Sequence, residues 1–180
     1  MDGRRAKWWE IGGAVWTVAL GSALHFCYEW SGRLPLVAAV AAVNESTWEH
    51  MKLLAVPWIV WSGLEAVALR KRKLAVLLPR AVGLLAGLVA IPVLFYSYTG
   101  IVGRHFLWAD IGVFVAAVAV GLLVSLRGVR RWRREGLGEL AGGLVLLAVL
   151  AAFVLWTWMP PELAVFLDPR TGKGGIFWNR

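Results

Sequence analysis

Five strongly apolar stretches, each about 20 residues long, constrain the fold of this 180-residue chain more than any other feature. Crossing the hydrocarbon core of a bilayer takes roughly 20 residues of α-helix, and a helix satisfies its own backbone polar groups there. The stretches therefore predict an all-α polytopic membrane bundle, with a single domain over residues 1–180. The predicted transmembrane helices are residues 11–30, 47–69, 81–101, 106–126 and 137–159, followed by a tail at 160–180.

One further apolar run, at residues 34–43, is too short to cross a bilayer. At ~1.5 Å per residue, a helix of this length covers about half of the hydrocarbon core. We therefore expect a re-entrant or interfacial half-helix between the first two spans. The first span is not followed by a small-residue cleavage site, so we expect it to be retained rather than removed as a signal peptide.

The basic residues indicate an orientation. The chain has a net charge of +8, but its Lys and Arg residues fall in short clusters between apolar runs, which argues against a nucleic-acid partner. Three of these segments hold 13 of the 19 Lys and Arg residues, and five spans place all three segments on one side. Because cytoplasmic loops carry the excess of positive charge, the N-terminus is predicted inside and the C-terminus outside.

Polar residues gather at the predicted outer ends of the spans. Ionisable groups are costly in a bilayer, so helical membrane proteins tend to keep them where they have a function. We therefore expect a shared polar pocket at that end of the bundle. The candidate pocket residues are Glu29, Asn44, Ser46, Lys52 and Asp110, and all three histidines of the chain lie near them.

The histidines suggest a metal site. Neutral imidazole and carboxylate groups are ligands that zinc accepts, and His25, His50 and His105 come from three different spans. Glu49 or Asp110 could replace His105 as the third ligand. Glu45 and Glu49 are candidate general bases acting on a metal-bound water. This pattern favours a zinc-dependent membrane hydrolase, with a small-molecule or lipid ligand that enters from the outer side of the bilayer.

Other interpretations of the same residues remain open. Ser46 to Glu49 has the S-x-x-E form of a capping box, in which both side chains bond to backbone N–H groups at a helix start. His105 could be a wetted interfacial side chain, and Asp110 could pair with Arg104 or Lys52. The protein could then bind or transport a small solute through its carboxylates and Lys52. It could also be a non-catalytic structural membrane protein.

Three short motifs carry a resemblance. They are H-x-x-Y-E-W-S-G at residues 25–32, N-E-S-x-W-E-H at 44–50 and D-P-x-T-G at 168–172. Together they resemble a family of small bacterial integral membrane proteins that is known only as a domain of unknown function. The resemblance covers most of the chain and implies a bacterial cytoplasmic membrane protein, but it implies no activity.

Overall fold

The computed structural model describes residues 3–69, 76–131 and 136–176. Within these ranges the chain forms six α-helices and no extended strand. All of them except α2 are long and apolar enough to cross a membrane. The basic runs at 70–73 and 133–134 and the last four residues of the predicted tail lie outside the described residues. The helices are α1 (Gly3–Trp30), α2 (Pro35–Ala38), α3 (Thr47–Leu69), α4 (Leu77–Val102), α5 (Leu107–Arg131) and α6 (Leu137–Trp158).

Each of the five apolar stretches lies in a long helix, as predicted, and several of the helices extend beyond the predicted bounds. α3 has the predicted bounds, whereas α1 begins at Gly3 and α5 continues to Arg131. Helical hydrogen bonding need not stop where the apolar sequence stops, so a transmembrane helix can continue past the hydrocarbon. Gly103, with a left-handed φ of 78°, ends α4, and a Pro-Pro pair at 160–161 follows α6.

Residues 31–46, here called the crossover, connect α1 to α3. Gly32 and Arg33 have φ values of 69° and 65°, which turns the chain away from the axis of α1. The predicted half-helix at 34–43 is helical only over α2. Its helix ends after about one turn, and the carbonyls of Ala38 and Ala41 accept hydrogen bonds from Lys52 on α3.

α3 is the central helix of the bundle. Of its most apolar stretch 56% is buried, against 44% or less for the corresponding stretches of the other long helices. Trp58 of α3 packs in one core cluster with Leu84 and Leu88 of α4 and Phe153 of α6. Residues of α3 therefore pack against several neighbouring helices, and each of the three polar clusters described below includes at least one residue of α3.

The two ends of the bundle differ in chemistry. At one end, called the histidine end, α1, α4 and α6 finish while α3 and α5 begin. Thr47 of α3 hydrogen bonds there to Tyr96 of α4 at 3.0 Å. At the opposite end, called the Arg80 end, the backbone N–H of Leu77 on α4 donates to Glu139 of α6 at 2.9 Å. Side-chain contacts between helices thus connect the bundle at both ends.

α6 approaches the backbone of α4 closely at Gly142. A Cβ atom at this position would lie 2.3 Å from the carbonyl carbon of Leu77 and from the backbone nitrogen of Leu78. No side chain can occupy that space unless the helices separate. The sequence Gly138-x-x-x-Gly142 predicts such an approach, and the structure confirms it at Gly142.

We expect Gly142→Ala to destabilise the protein by about 1–3 kcal/mol or more, because the added methyl group must push α4 and α6 apart. Gly138→Ala is the matched control, since a Cβ there would meet only Leu78 Cδ2, at 3.7 Å. Thermal unfolding of the two variants in the same detergent measures the difference. Equal unfolding midpoints for both variants would contradict the close packing at Gly142.

Candidate metal centre

The N-E-S-x-W-E-H motif forms the turn that begins α3. The Asn44 side-chain oxygen accepts the backbone N–H of Ser46 at 2.9 Å, and the Ser46 hydroxyl accepts the N–H of Glu49 at 3.3 Å. The second bond of the expected capping box is absent, because the Glu49 carboxylate accepts the N–H of Val43 instead, at 3.1 Å. Asn44 and Ser46 therefore shape the turn.

Glu49, Lys52 and Thr157 form a buried network, here called the lysine network. Lys52 Nζ lies 2.7 Å from Glu49 Oε2 and 2.6 Å from the Thr157 hydroxyl of α6. It also donates to the carbonyls of Ala38 and Ala41, at 2.9 and 3.2 Å. The lysine network thus connects three parts of the bundle: the crossover, α3 and α6.

Glu49 is fully engaged within this network. Its Oε2 accepts from Lys52 and Val43, its Oε1 lies 3.1 Å from the Thr157 hydroxyl, and the residue is 1% exposed. The geometry gives no support to Glu49 as a general base, because neither carboxylate oxygen faces open space. Thr157 was not among the predicted pocket residues. Its only signal in the sequence is a hydroxyl in the last turn of an otherwise apolar span.

His25, Glu45 and His50 form the second polar group of this end, here called the histidine site. One ligand atom from each of the three side chains lies within 4.8 Å of the other two. The two imidazole centroids are 5.2 Å apart, and Glu45 Oε2 is 3.5 Å from His50 Nε2. All three residues are partly exposed, and α1, the crossover and α3 each contribute one.

The turn fixes which nitrogen of His50 faces Glu45. His50 Nδ1 lies 2.9 Å from the carbonyl oxygen of Ser46. A carbonyl can only accept, so Nδ1 must carry the hydrogen of this bond. In the neutral ring Nε2 then has a free lone pair, directed toward Glu45. Metal-bound histidines are commonly oriented by such a bond from their second nitrogen to a backbone carbonyl.

His25 has an unusual environment. Its Nδ1 atom is buried and has no hydrogen-bond partner among the described residues. The ring packs between Phe26 of its own helix, at a centroid distance of 4.9 Å, and His50. A buried polar nitrogen without a partner costs free energy, which a bound ligand could recover.

The tail after α6 folds back over this end of the bundle. Phe166 packs against Trp48 with a centroid distance of 4.6 Å, and the N–H of Ile176 donates to the Thr157 carbonyl at 3.0 Å. Asp168 Oδ2 lies 3.5 Å from the backbone nitrogen of Glu45. In the same turn, Arg170 Nη1 lies 3.9 Å from Glu45 Oε1. The tail therefore contacts the histidine site through Glu45, and sequence reasoning missed Arg170 as a neighbour of Glu45.

His105 and Asp110 lie in a separate contact. His105 Nδ1 is 3.1 Å from Asp110 Oδ2, and the Tyr98 hydroxyl donates to the other oxygen of Asp110. Neither residue contributes an atom to the histidine site, which is the one group of candidate metal ligands found among the described residues. His105 lies in the short loop between α4 and α5, and its partner is the Asp110 carboxylate in the first turn of α5. Asp110 thus pairs with neither Arg104 nor Lys52, the two partners considered from the sequence.

Glu29 also lies apart from the histidine site. It forms a bidentate contact with Arg33, with its two carboxylate oxygens 3.1 and 3.2 Å from Arg33 Nε. Both side chains are more than half exposed. The four-residue spacing from His25 to Glu29 predicts that the two residues lie on one face of α1. The turn at Arg33 then provides Glu29 with a partner of its own.

The fold and these contacts define a class: an α-helical protein compatible with a membrane, with a candidate metal centre at one end of its bundle. The chain belongs to the family of unknown function DUF6512, whose sequence profile matches residues 2–176. No curated protein and no solved structure matches the chain.

Proposed function

We propose that the histidine site binds a divalent transition metal and that this metal is zinc. The observation that supports the proposal is the convergence of three zinc-type ligands, His25, Glu45 and His50, from three separate elements to within 4.8 Å. The unpartnered, buried Nδ1 of His25 is an independent indication that something binds there. His105, expected from the sequence as a ligand, is replaced in this proposal by Glu45.

The distances suit a zinc ion. Ligand atoms around tetrahedral zinc are about 3.3–3.5 Å apart, since the Zn–N and Zn–O bonds are about 2.0–2.2 Å long. Glu45 Oε2 and His50 Nε2 already have this separation, at 3.5 Å. The other ligand atoms are within 4.8 Å, so they need to approach by at most about 1.5 Å, which a small side-chain rotation of His25 would provide.

The ligand set favours a catalytic type of site. Two histidines and one glutamate are a known set in catalytic zinc sites, which keep a fourth position for water or substrate. Zinc lowers the pKa of a bound water to about 7, so a separate carboxylate base is not required. We therefore infer a metal-dependent hydrolase. The guanidinium of Arg170, 3.9 Å from Glu45, would attract an anionic group of the substrate toward the metal.

Recognition of a cationic solute has less support from the same geometry. The carboxylate of Glu49 is neutralised by Lys52, and that of Glu29 pairs with Arg33. A transport protein would need these acidic groups to face the solute. The lysine network instead positions the crossover, which carries Glu45, and thereby supports the metal ligands.

Metal content tests this proposal. The protein, purified with a tag that contains no histidine and without chelator, should carry about one zinc ion per chain by elemental analysis. His25→Ala should lose the metal, whereas the matched control His105→Ala should retain it. A wild-type protein that takes up no zinc when zinc is added back would refute the proposal. The three side chains would then form only a polar contact between helices.

We also propose that the histidine end faces the outside of a bacterial cytoplasmic membrane. Arg80 and Lys52 are both buried in ion pairs, so we leave both out when we count the positive charges that orient the helices in the membrane. Without them, the predicted inner side still holds twelve of the seventeen remaining Lys and Arg residues. With the histidine end outside, the crossover is an interfacial or re-entrant segment on the outer side of the membrane.

Single cysteines in a Cys27→Ser background test the orientation. A cysteine at exposed Thr171 should react with a membrane-impermeant thiol reagent in intact cells. A cysteine at Arg131, at the end of α5, should react only after the cells are permeabilised. The reverse pattern would mean that the histidine site faces the cytoplasm.

A further inference from the structure

The Arg80 end contains a second group of buried charges, here called the Arg80 cluster. Glu10 of α1, Glu65 of α3 and Arg80 of α4 are each 1% exposed or less. Arg80 Nε donates to Glu65 Oε2 at 2.6 Å, and Arg80 Nη1 lies 3.2 Å from Glu10 Oε2. No local pattern in the sequence indicates the contact between Glu10 and Arg80.

The surrounding helices supply few further partners. Ser125 of α5 donates to Glu10 Oε1 at 2.7 Å, and Arg80 lies over the Trp58 ring of α3 at 5.0 Å. The carboxylate of Glu139 on α6 accepts the backbone N–H of Leu77. Among the described residues, the Arg80 cluster therefore combines two carboxylates with one guanidinium.

Three atoms of the cluster have no hydrogen-bond partner within residues 3–69, 76–131 and 136–176, although one of them, Glu10 Oε2, lies in the ion-pair contact with Arg80. They are Glu10 Oε2, Glu65 Oε1 and Arg80 Nη2, all buried. If both carboxylates were ionised, the cluster would carry one negative charge that no residue of the described part of the chain compensates. Such a charge is very costly away from water, so it must be balanced by a bound positive charge.

We propose that the Arg80 cluster binds one exchangeable proton, held by the Glu10 and Glu65 carboxyl pair. The proton occupies one of the two oxygens that accept no hydrogen bond. It leaves one carboxylate to balance Arg80, which makes the cluster neutral. Two carboxylates that share a site commonly hold one proton between them for this reason.

A metal cation fits this position less well than a proton. Hard cations such as Ca²⁺ take six to eight oxygen ligands, and Mg²⁺ needs near-octahedral coordination. Among the described residues, the cluster offers only two carboxylate oxygens that accept no hydrogen bond, and Arg80 forms an ion pair with each of the two carboxyl groups. The guanidinium would repel a metal cation, whereas a proton needs only one oxygen. Buried carboxyl groups of this kind are characteristic of proton relays within membranes.

Infrared spectroscopy of the full chain in lipid nanodiscs tests the proposal. At neutral pH the wild type should show the C=O stretch of a protonated carboxylic acid. Glu10→Gln and Glu65→Gln should each lose this band, because the remaining carboxylate then ionises against Arg80. Glu139→Gln, the matched control from α6, should retain it. The double variant with both glutamines should fail to fold, since Arg80 is then buried without a counter-charge.

Two results would overturn the proposal. The first is a wild-type spectrum without a protonated carboxyl band at neutral pH, a measurement that needs no variant to fold. The second is persistence of the band in both single variants, which would place the proton elsewhere. Sodium chloride can also be titrated into protein that was prepared in choline buffer. If the infrared band is absent and this titration releases heat, the cluster is a sodium site instead. These outcomes do not depend on zinc at the histidine site.

Discussion

Replacement of Glu45 by glutamine is expected to lower the zinc affinity by more than 100-fold. Loss of a group that merely orients a ligand typically costs 10- to 100-fold in metal affinity. Glu45 is itself one of the three groups within 4.8 Å, and it is the only anion among them. The neutral amide keeps the shape of the side chain but removes the charge that attracts the metal.

A competition titration against a zinc-binding dye measures this loss. Glu29→Gln is the matched control, because Glu29 lies near the same end of α1 but pairs with Arg33. Its zinc affinity should equal that of the wild type. If Glu45→Gln bound zinc as tightly as Glu29→Gln, the metal would not be coordinated by the crossover.

The second large effect is expected from Lys52→Met. It leaves the buried Glu49 carboxylate without its counter-ion, and breaking a buried pair in this way costs about 3–5 kcal/mol. The variant also loses the two hydrogen bonds that hold the crossover at Ala38 and Ala41. We therefore expect both a lower unfolding midpoint and weaker zinc binding, because Glu45 lies in the same segment.

The double variant Glu49→Gln/Lys52→Met separates the two consequences. Removing the charge of Glu49 should restore much of the stability, since no buried anion then lacks a partner. Zinc binding should stay weak, because the crossover still lacks its bonds to Lys52. Thermal unfolding and dye competition on the same preparations measure both quantities. Equal stability of the single and double variants would contradict the buried pair.

The five long helices could be predicted because length and apolarity are local properties of the sequence. The start of α3 at Thr47 was also predictable, since Ser46 is a favourable N-cap residue. The starts of α1 and α4 were predicted too late. An apolar window reports where the hydrocarbon begins, whereas the helix can begin before it.

The site was predictable only in part, because its remaining contacts join distant parts of the chain. His25 and His50 share one end of the bundle, and span order alone indicates this. The choice of Glu45 over His105 depends on how the crossover is held. That in turn depends on a bond between Lys52 and Thr157, which are 105 residues apart. No local pattern records such a pairing, just as none records the bond from Ser125 to Glu10.

X-ray absorption at the zinc edge of the purified protein tests the proposed zinc site. We expect four light-atom ligands at about 2.0–2.2 Å, with the outer-shell scattering of two imidazole rings. Two nitrogens would come from His25 and His50 and one oxygen from Glu45, and the spectrum should be unchanged in His105→Ala. A zinc–sulfur distance of about 2.3 Å, or a spectrum without imidazole scattering, would show that the metal binds elsewhere and would contradict coordination by His25, Glu45 and His50.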